Sequence, residues 1–505
     1  IDKKSNSDVK IIYYLLILNS INRNILIFII FSLLLIGCKK ESDEDPNIAK
    51  LENDLEISDF IWKGLNYYYY WQESVINLAD SKLDNLSNYS FYLSQNPNPE
   101  NFFNSLKHPD DRFSWISDDY EELENYLQGI GYSDGIEFGL FLECNDQNVF
   151  GFVRYVHKDS DADINGIKRG YFFNAVNGAI LNKDNYRDLL YDDNILTNTY
   201  GFADLNYDEN NQCASLISSN TNITLNKSRL VKNPIHISKT IDINQKKIGY
   251  LMYNQFLGNV ESENKDYHLE LNSVFGSFKY EGINELVIDL RYNPGGRIST
   301  SINLASMITG QFNNQIFAKE KWNSKLMDYW DEKNPDNLIN RFVDNMGGVS
   351  INSLNLNKVY ILTTSRTASA SELLINGLDP YIDVIHIGDY TVGKNQGSIT
   401  VYDWINDQGE KNPNHKYAMQ PIVLKIGNVA GYTDFPNGLV PDYEIKESIR
   451  TAGELGNKNE QLLKIAIDHI FGNLQFISSD DNIKQIDIPE ESLKQQLIKD
   501  KIIIK

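Results

Sequence analysis

Three short stretches hold residues of the types that acyl-transfer chemistry uses. The first is Thr364-Ser365-Arg366-Thr367-Ala368-Ser369-Ala370-Ser371-Glu372, which leads from an apolar, strand-like run into a helix-like one. A serine at a helix start lies beside amide N–H groups that have no partner within the helix, and the helix dipole favours negative charge there. Ser369 could therefore become an attacking alkoxide at a place that also accommodates the oxyanion it creates. The same letters spell a capping box, Ser369-x-x-Glu372, in which both side chains merely satisfy backbone donors. Taken alone, capping is the plainer reading.

The second stretch is Thr391-Val392-Gly393-Lys394, 25 residues beyond Ser369, since 394 − 369 = 25. That spacing suits a helix out and a strand back, so parallel neighbouring strands would bring both residues to one edge of a sheet. A lysine serves as a general base only when neutral, and burial lowers its reference pKa of about 10.4 by up to ~3–5 units. A neutral Lys394 could take the proton of Ser369. Without Ser369, Lys394 reads as an ordinary solvated loop lysine.

The third stretch is Asp289-Leu290-Arg291-Tyr292-Asn293-Pro294-Gly295-Gly296. Glycines after a strand can present amides to a ligand without obstruction by a Cβ. Gly295 or Gly296, together with Ala370, would supply a two-donor oxyanion hole; losing one such donor costs about 10²–10³ in rate. Asn-Pro-Gly-Gly is also a common loop. The chain has no HExxH, CxxC or G-x-x-x-x-G-K-[ST] motif, so neither a metal nor another cofactor is expected.

The elements around these stretches read as strand then helix, repeated from about Asn233, which marks α/β organisation. Lys247–Tyr253, Glu285–Leu290, Val359–Thr364 and Val384–Gly388 are expected strands. Tyr267–Tyr280, Ile298–Ile308, Ala370–Leu378 and Gln461–Phe471 are expected helices. Ahead of them, residues 129–231 have short-strand character. Within that region Ser160 to Leu181 is similar to a PDZ pattern of short helix, Gly turn, strand and Asn177-Gly178 turn. Tyr171 stands where that pattern has Asp, and Asp192 to Asn222 is long and polar. The loop before Phe138-Gly139-Leu140 would hold a peptide C-terminus on its amides, the peptide adding a strand to an exposed edge. A PDZ-shaped module that binds no peptide is the alternative. Residues 48–128 are helical, with Phe60, Ile61, Leu65, Tyr68 and Tyr69 on one face, and Asp111 to Trp115 reads as packing.

In their order along the chain, the three stretches resemble the C-terminal processing (tail-specific) peptidases of family S41. Gly438-Leu439-Val440-Pro441-Asp442 is similar to that family's later Gly-x-x-Pro-Asp turn. The resemblance covers about Ile48 to Phe471. It implies a multidomain α/β protein: an N-terminal helical domain (48–128), a PDZ-like β-rich domain (129–231) and a ClpP/crotonase-like α/β catalytic domain (232–475). It further implies a serine endopeptidase in which Ser369 is the nucleophile, Lys394 the base, and protein or peptide the substrate, taken by its C-terminus. Processing members carry a dyad-orienting Gln four residues after the lysine. Here Ser398 stands at that position, with Gln396 nearby. A Ser/His variant exists within the family, but His386 is mid-strand and no histidine adjoins Ser369 in sequence; His236 and His268 stay open.

Residues 1–37 read as a signal peptide whose start no methionine fixes, the first being Met252. Ile25–Ile36 is too short to span a bilayer comfortably and fits an h-region. Leu35-Ile36-Gly37-Cys38 resembles the bacterial lipobox, with Cys38 as the lipid acceptor, and residues 38–47 form an acidic tether. These features imply a lipid-anchored protein on the outer membrane of a Gram-negative cell envelope, on the periplasmic face or the cell surface. Cys144 and Cys213 could pair there or remain two free thiols. Residues 476–505 form a charged tail. At 505 residues and a net charge of −22, several domains are expected, and no nucleic-acid surface. Competing readings are a non-catalytic peptide-binding lipoprotein of the same fold and a glycan-binding lipoprotein, which the strand and helix alternation disfavours.

Overall fold

The computed structural model describes residues 46–192, 194–208, 210 and 213–473. The signal peptide, Cys38, most of the tether and the charged tail lie outside the described residues. The chain forms two compact units: one ends at Glu121 and also contains Thr400–Pro421, and the other comprises Glu122–Ile399 with the chain from Ile422 onward.

In the first unit the helix Pro46–Tyr68 buries Phe60, Ile61, Trp62 and Leu65, with Tyr69 just beyond its end. Asp111 is buried; its Oδ2 accepts from Tyr69 Oη at 2.7 Å and its Oδ1 from the amides of Phe113 and Ser114. The packing role read for Asp111 to Trp115 thus includes a carboxylate that organises the turn. The segment Thr400–Pro421, which the sequence places within the catalytic part, clusters with this unit. Trp115–Ser117 pairs antiparallel with Ala418–Gln420, which pairs with Val401–Tyr402. A strand partner supplied from more than 300 residues away leaves no local mark in the sequence.

Early in the second unit lies a six-stranded sheet whose main path runs Ile136–Leu142, Val149–Val156, Phe172–Val176, Thr197–Asp208, Cys213–Asn226, with Ala179–Ile180 pairing off it to Phe172–Val176. Ile136–Leu142 is its edge. Asn177 and Gly178 both have positive φ, 53° and 79°, as a two-residue hairpin turn requires. The polar segment after Asp192 is a long hairpin; its first strand buries Tyr200, Phe202 and Ala203, while residues 217–222 of its second are exposed and carry no apolar alternation to announce a strand. Cys144 and Cys213 form a disulfide, with Cα atoms 5.2 Å apart.

Next comes a six-stranded sheet in the order Ile235–Ile243, Lys246–Tyr253, Glu285–Asp289, Lys358–Thr363, Asp383–Gly388, Tyr443–Glu444. From Lys246 onward all neighbours are parallel. Val287, Tyr360, Leu362 and Ile387 on one face bury Leu462, Leu463, Ala466 and Ile467 of the helix Gln461–Ile470. Helices Ile298–Thr309 and Ala370–Leu378 follow the central strands and pack on each other. A smaller antiparallel sheet, containing Ile316–Trp322, Gln396–Ser398 and Ile422–Asn428, completes this part. The three stretches with chemical potential therefore all follow the C-terminal ends of adjacent parallel strands, where open α/β sheets place their ligands.

Candidate active site

Ser369 begins the helix Ala370–Leu378 with φ 70° and ψ −114°, a left-handed backbone that costs a residue bearing a Cβ of order 1–3 kcal/mol. The capping-box arrangement of Ser369 and Glu372 is in place, but its two halves are unequal. The Ser369 N–H donates to Glu372 Oε2 at 2.5 Å, whereas Ser369 Oγ is buried and bonds to nothing among the described residues. The hydroxyl is thereby left to other chemistry.

Glu372 is fully buried and does more than cap. Its Oε2 also accepts from the Lys394 N–H at 2.8 Å, and its Oε1 from Gly393 N at 2.7 Å and Thr391 Oγ1 at 2.5 Å. One carboxylate thus ties the backbones of Ser369 and Lys394 together. Burial pushes the Glu372 carboxyl above the ordinary range, and these four donors pull it back. Lys394 is 2% exposed, not the solvated loop lysine of the plainer reading. Its loop is closed from outside by the Gly438 turn. A Cβ on Gly393 would meet Pro436 O at 2.3 Å, and one on Gly438 would meet Thr391 O at 2.0 Å. Asp442, in the same turn, accepts from His386 N at 2.8 Å.

The Asn293-Pro294-Gly295-Gly296 loop is fastened to the Ser369 turn. Asn293 O accepts from Ala368 N and from Ser371 Oγ, both at 3.1 Å, and Asn293 Nδ2 donates to Tyr253 O at 2.7 Å. Gly295, at φ 105°, lies so near that a Cβ there would stand 2.7 Å from Ser369 Cβ and 2.9 Å from Ala370 N. Its N–H already donates to Asn293 Oδ1 at 2.8 Å. That removes Gly295 as an oxyanion donor. The amides of Gly296 and Ala370 donate to no protein acceptor among the described residues. Below the loop, Arg291 is wholly buried against Asp289, Glu447 and Glu460, and Glu447 also accepts from Arg169 of the β-rich module at 2.6 Å. The two arginines hold the Glu447 carboxyl down to about 2 against the opposing effect of burial.

Other sequence-derived candidates separate from the site. His386 bonds Thr363 Oγ1 at 2.7 Å, His268 bonds Thr300 Oγ1 at 2.6 Å, and His236 packs on the Tyr155 ring; none bonds Ser369 Oγ. Gln396 and Ser398 lie on the strand that follows Lys394, and Gln396 Oε1 is buried without a hydrogen-bond partner among the described residues. Phe138, Gly139 and Leu140 do sit on a free sheet edge. The loop ahead of them does not offer the expected amides. Gly135 N donates to Ser133 Oγ and Ile136 N to Asp134 Oδ1, each at 3.0 Å, and the Asp134 carboxylate itself disfavours an anion there. The sequence reading passed over Glu372 and Asn293 as organisers. The capping-box spacing was the signal for the first; nothing local signalled the second.

A largely parallel sheet whose crossover turns bring a strained serine and a buried lysine together defines the mixed α/β, multidomain class of protein. The chain carries two domains of peptidase family S41: residues 247–418 match Peptidase family S41, and residues 56–115 match the Peptidase S41 N-terminal domain. An S41 protease candidate from Bacteroides fragilis NCTC 9343 superposes with a TM-score of 0.64 at 25% identity, over 82% of this chain and 97% of that one. The photosystem II D1 C-terminal processing protease aligns with a TM-score of 0.44 at 16% identity, over 78% and 92%. A CtpA-like serine protease candidate of Staphylococcus epidermidis is 26% identical over 33% of this chain, and the match spans 29% of that relative's length.

Proposed function

We propose that this chain is a serine endopeptidase that hydrolyses protein or peptide substrates with Ser369 as nucleophile and Lys394 as general base. The observation that carries the reading is the Glu372 carboxylate, which accepts from the amides of both residues through one oxygen. In this reading Ser369 passes its proton to Lys394 Nζ as Oγ attacks the scissile carbonyl carbon, and the carbonyl electrons move to oxygen. The N–H groups of Gly296 and Ala370 stabilise that oxyanion. Lys394 then returns the proton to the leaving amine. Water, deprotonated by the same lysine, releases the acyl group. Glu372 is the positioning residue, and Gln396 is the better candidate than Ser398 for a group that orients the lysine. The edge strand Ile136–Leu142 receives the substrate as an added strand.

Ser369→Ala and Lys394→Ala should each abolish hydrolysis of an unfolded protein substrate while circular dichroism stays native. Activity of the native chain should fall at acidic pH, where a protonated lysine cannot accept a proton. A folded Lys394→Ala protein with full activity would sink the dyad.

The same reading places the protein in the cell envelope, anchored by lipid on Cys38 to the outer membrane of a Gram-negative bacterium. Its support is the Gly37-Cys38 sequence after the apolar run and the Cys144–Cys213 disulfide, which suits an oxidising compartment. Cys38→Ala should lose both lipid incorporation and the mass shift of signal removal. Unaltered processing of that variant would count against the anchor.

A further inference from the structure

Directly after Gly296, the glycine whose amide would meet the oxyanion, stands Arg297. It begins the helix Ile298–Thr309 and makes no side-chain capping bond. The residue is half-buried. Its Nε is buried and has no acceptor among the described residues. Its two Nη atoms make no bond there either and stay accessible, so the guanidinium fork opens outward.

Other arginines of this part of the chain show how the fold treats a cation that it uses. Arg291 is enclosed by Asp289, Glu447 and Glu460, and Arg169 bonds Glu447 and the Tyr292 hydroxyl. Against the effect of burial, these partners hold both above the usual arginine range. For Arg297 burial acts alone and lowers it. The first turn of its helix holds no acid, and the helix dipole disfavours a cation at that end. The Asp266 carboxylate is spent on another cap, accepting from the amides of His268 and Leu269 at 3.0 and 3.1 Å. His268 bonds Thr300 Oγ1 at 2.6 Å; burial, helped by the charge of Arg297 and opposed by Asp266, keeps it below its ordinary 6.5. A half-buried cation with an unsatisfied N–H and no counter-charge is costly, and such groups persist where a ligand completes them.

The place of this side chain is prepared. A Cβ on Gly258 would stand 3.1 Å from Arg297 Cδ, 3.2 Å from Nε and 3.3 Å from Cζ. Gly258 does not have positive φ, so what its missing side chain serves is the close approach of the arginine. The backbone around Arg297 is fixed to the site. Its N–H donates to Phe256 O at 2.9 Å, and Phe256 N donates to Gly295 O at 2.8 Å. One turn along the same helix, Ser301 Oγ donates to Ala370 O at 3.0 Å, which ties this helix to the one that Ser369 begins.

We propose that Arg297 selects substrates carrying an acidic side chain, Asp or Glu, close to the scissile bond. This selection rests on the peptidase reading, in which the scissile carbonyl oxygen lies on the Gly296 amide. Neighbouring Cα atoms are about 3.8 Å apart and an extended chain advances about 3.3–3.6 Å per residue. The carboxylate that Arg297 meets therefore belongs to a residue within about three positions of the bond cleaved. An outward guanidinium fork takes a carboxylate through two parallel N–H···O bonds, a match that a single ammonium lacks. A molecule of net charge −22 repels acidic peptides at long range, so a preference for them has to arise at a local cation.

The test uses internally quenched peptides blocked at both ends, so that no terminal carboxylate takes part, with Glu, Gln or Lys placed in turn at each position near the cleaved bond. At one position the native chain should show kcat/KM about 10–100-fold higher for Glu than for Gln, the range expected of charge-assisted hydrogen bonds. In Arg297→Gln that ratio should fall to about one, and Arg297→Glu should favour Lys over Glu at the same position. An arginine with a purely structural role would lower all three peptides together and leave the ratios alone. That result would overturn the proposal, as would cleavage by the native chain that is indifferent to charge at every position. If Arg297→Gln does not fold, Arg297→Lys, which keeps the charge and loses the fork, should cut the Glu-to-Gln ratio, and an undiminished ratio would count against the site. Should the native chain cleave none of the peptides, the peptidase reading falls and binding decides. The full chain carrying Ser369→Ala should then hold a labelled Glu peptide at least about 10-fold more tightly than its Gln counterpart by fluorescence anisotropy, and equal affinities would overturn the site as well.

Discussion

At the scale of single residues, the decisive comparison is between a serine that caps a helix and one held ready for another purpose. Ser369 Oγ accepts no capping bond, and the backbone is strained at φ 70°. Ser369→Ala should therefore change stability by less than about 0.5 kcal/mol, where loss of a working cap would cost about 0.5–2 kcal/mol. Ser369→Gly should raise the thermal midpoint above that of the native chain, because glycine tolerates positive φ. A cap would give the opposite order, native above glycine. Thermal denaturation of the three proteins decides it. Glu372 shows how one spacing can hold two roles, since the residue that completes the box on paper spends its second oxygen on the Lys394 loop.

At the scale of elements, the site depends on two crossover turns packed into each other. Gly295→Ala would force a Cβ against Ser369 Cβ and Ala370 N, both parts of the helix start rather than flexible side-chain ends, and would also demand positive φ of an alanine. We expect hydrolysis to fall at least about 10²-fold, since small misplacement of reacting groups has that effect, with a stability loss of about 1–3 kcal/mol. Steady-state kinetics and urea unfolding of the variant check both. Wild-type kinetics would mean that the two turns are not coupled as their bonds indicate.

At the scale of the whole molecule, buried histidines and carboxylates set the response to acid. Burial holds His386 down to about 4, below its ordinary 6.5. The unfolded chain therefore takes up a proton first, and stability is complete above about pH 6.5 and declines as pH falls toward 4. Glu447, held at about 2 by its arginines rather than the ordinary 4.5, adds stability that is present above about pH 4.5 and lost below it. Urea midpoints of the native chain should thus be flat from pH 8 to about 6.5 and fall progressively through pH 4. His386 accounts for up to about 3 kcal/mol of that fall, and His386→Gln should flatten the upper part of the curve. A midpoint constant between pH 7 and 4 would refute this account.

The strands of the parallel sheet and the helices after them were legible because apolar runs, glycine punctuation and helix periodicity are local. The order of the three chemical stretches was legible too, since each follows a strand. Convergence of Ser369, Lys394 and the Asn293 loop required parallel pairing, which joins residues far apart in sequence through hydrogen bonds that any side chain permits. Thr400–Pro421 joined the helical unit, and the polar hairpin after Asp192 formed, for the same reason: backbone pairing leaves little trace in composition. Sequence determined which chemical groups this protein owns and which elements carry them. Tertiary structure alone decided which groups lost their water and which found partners, because burial and pairing are properties of neighbours in space.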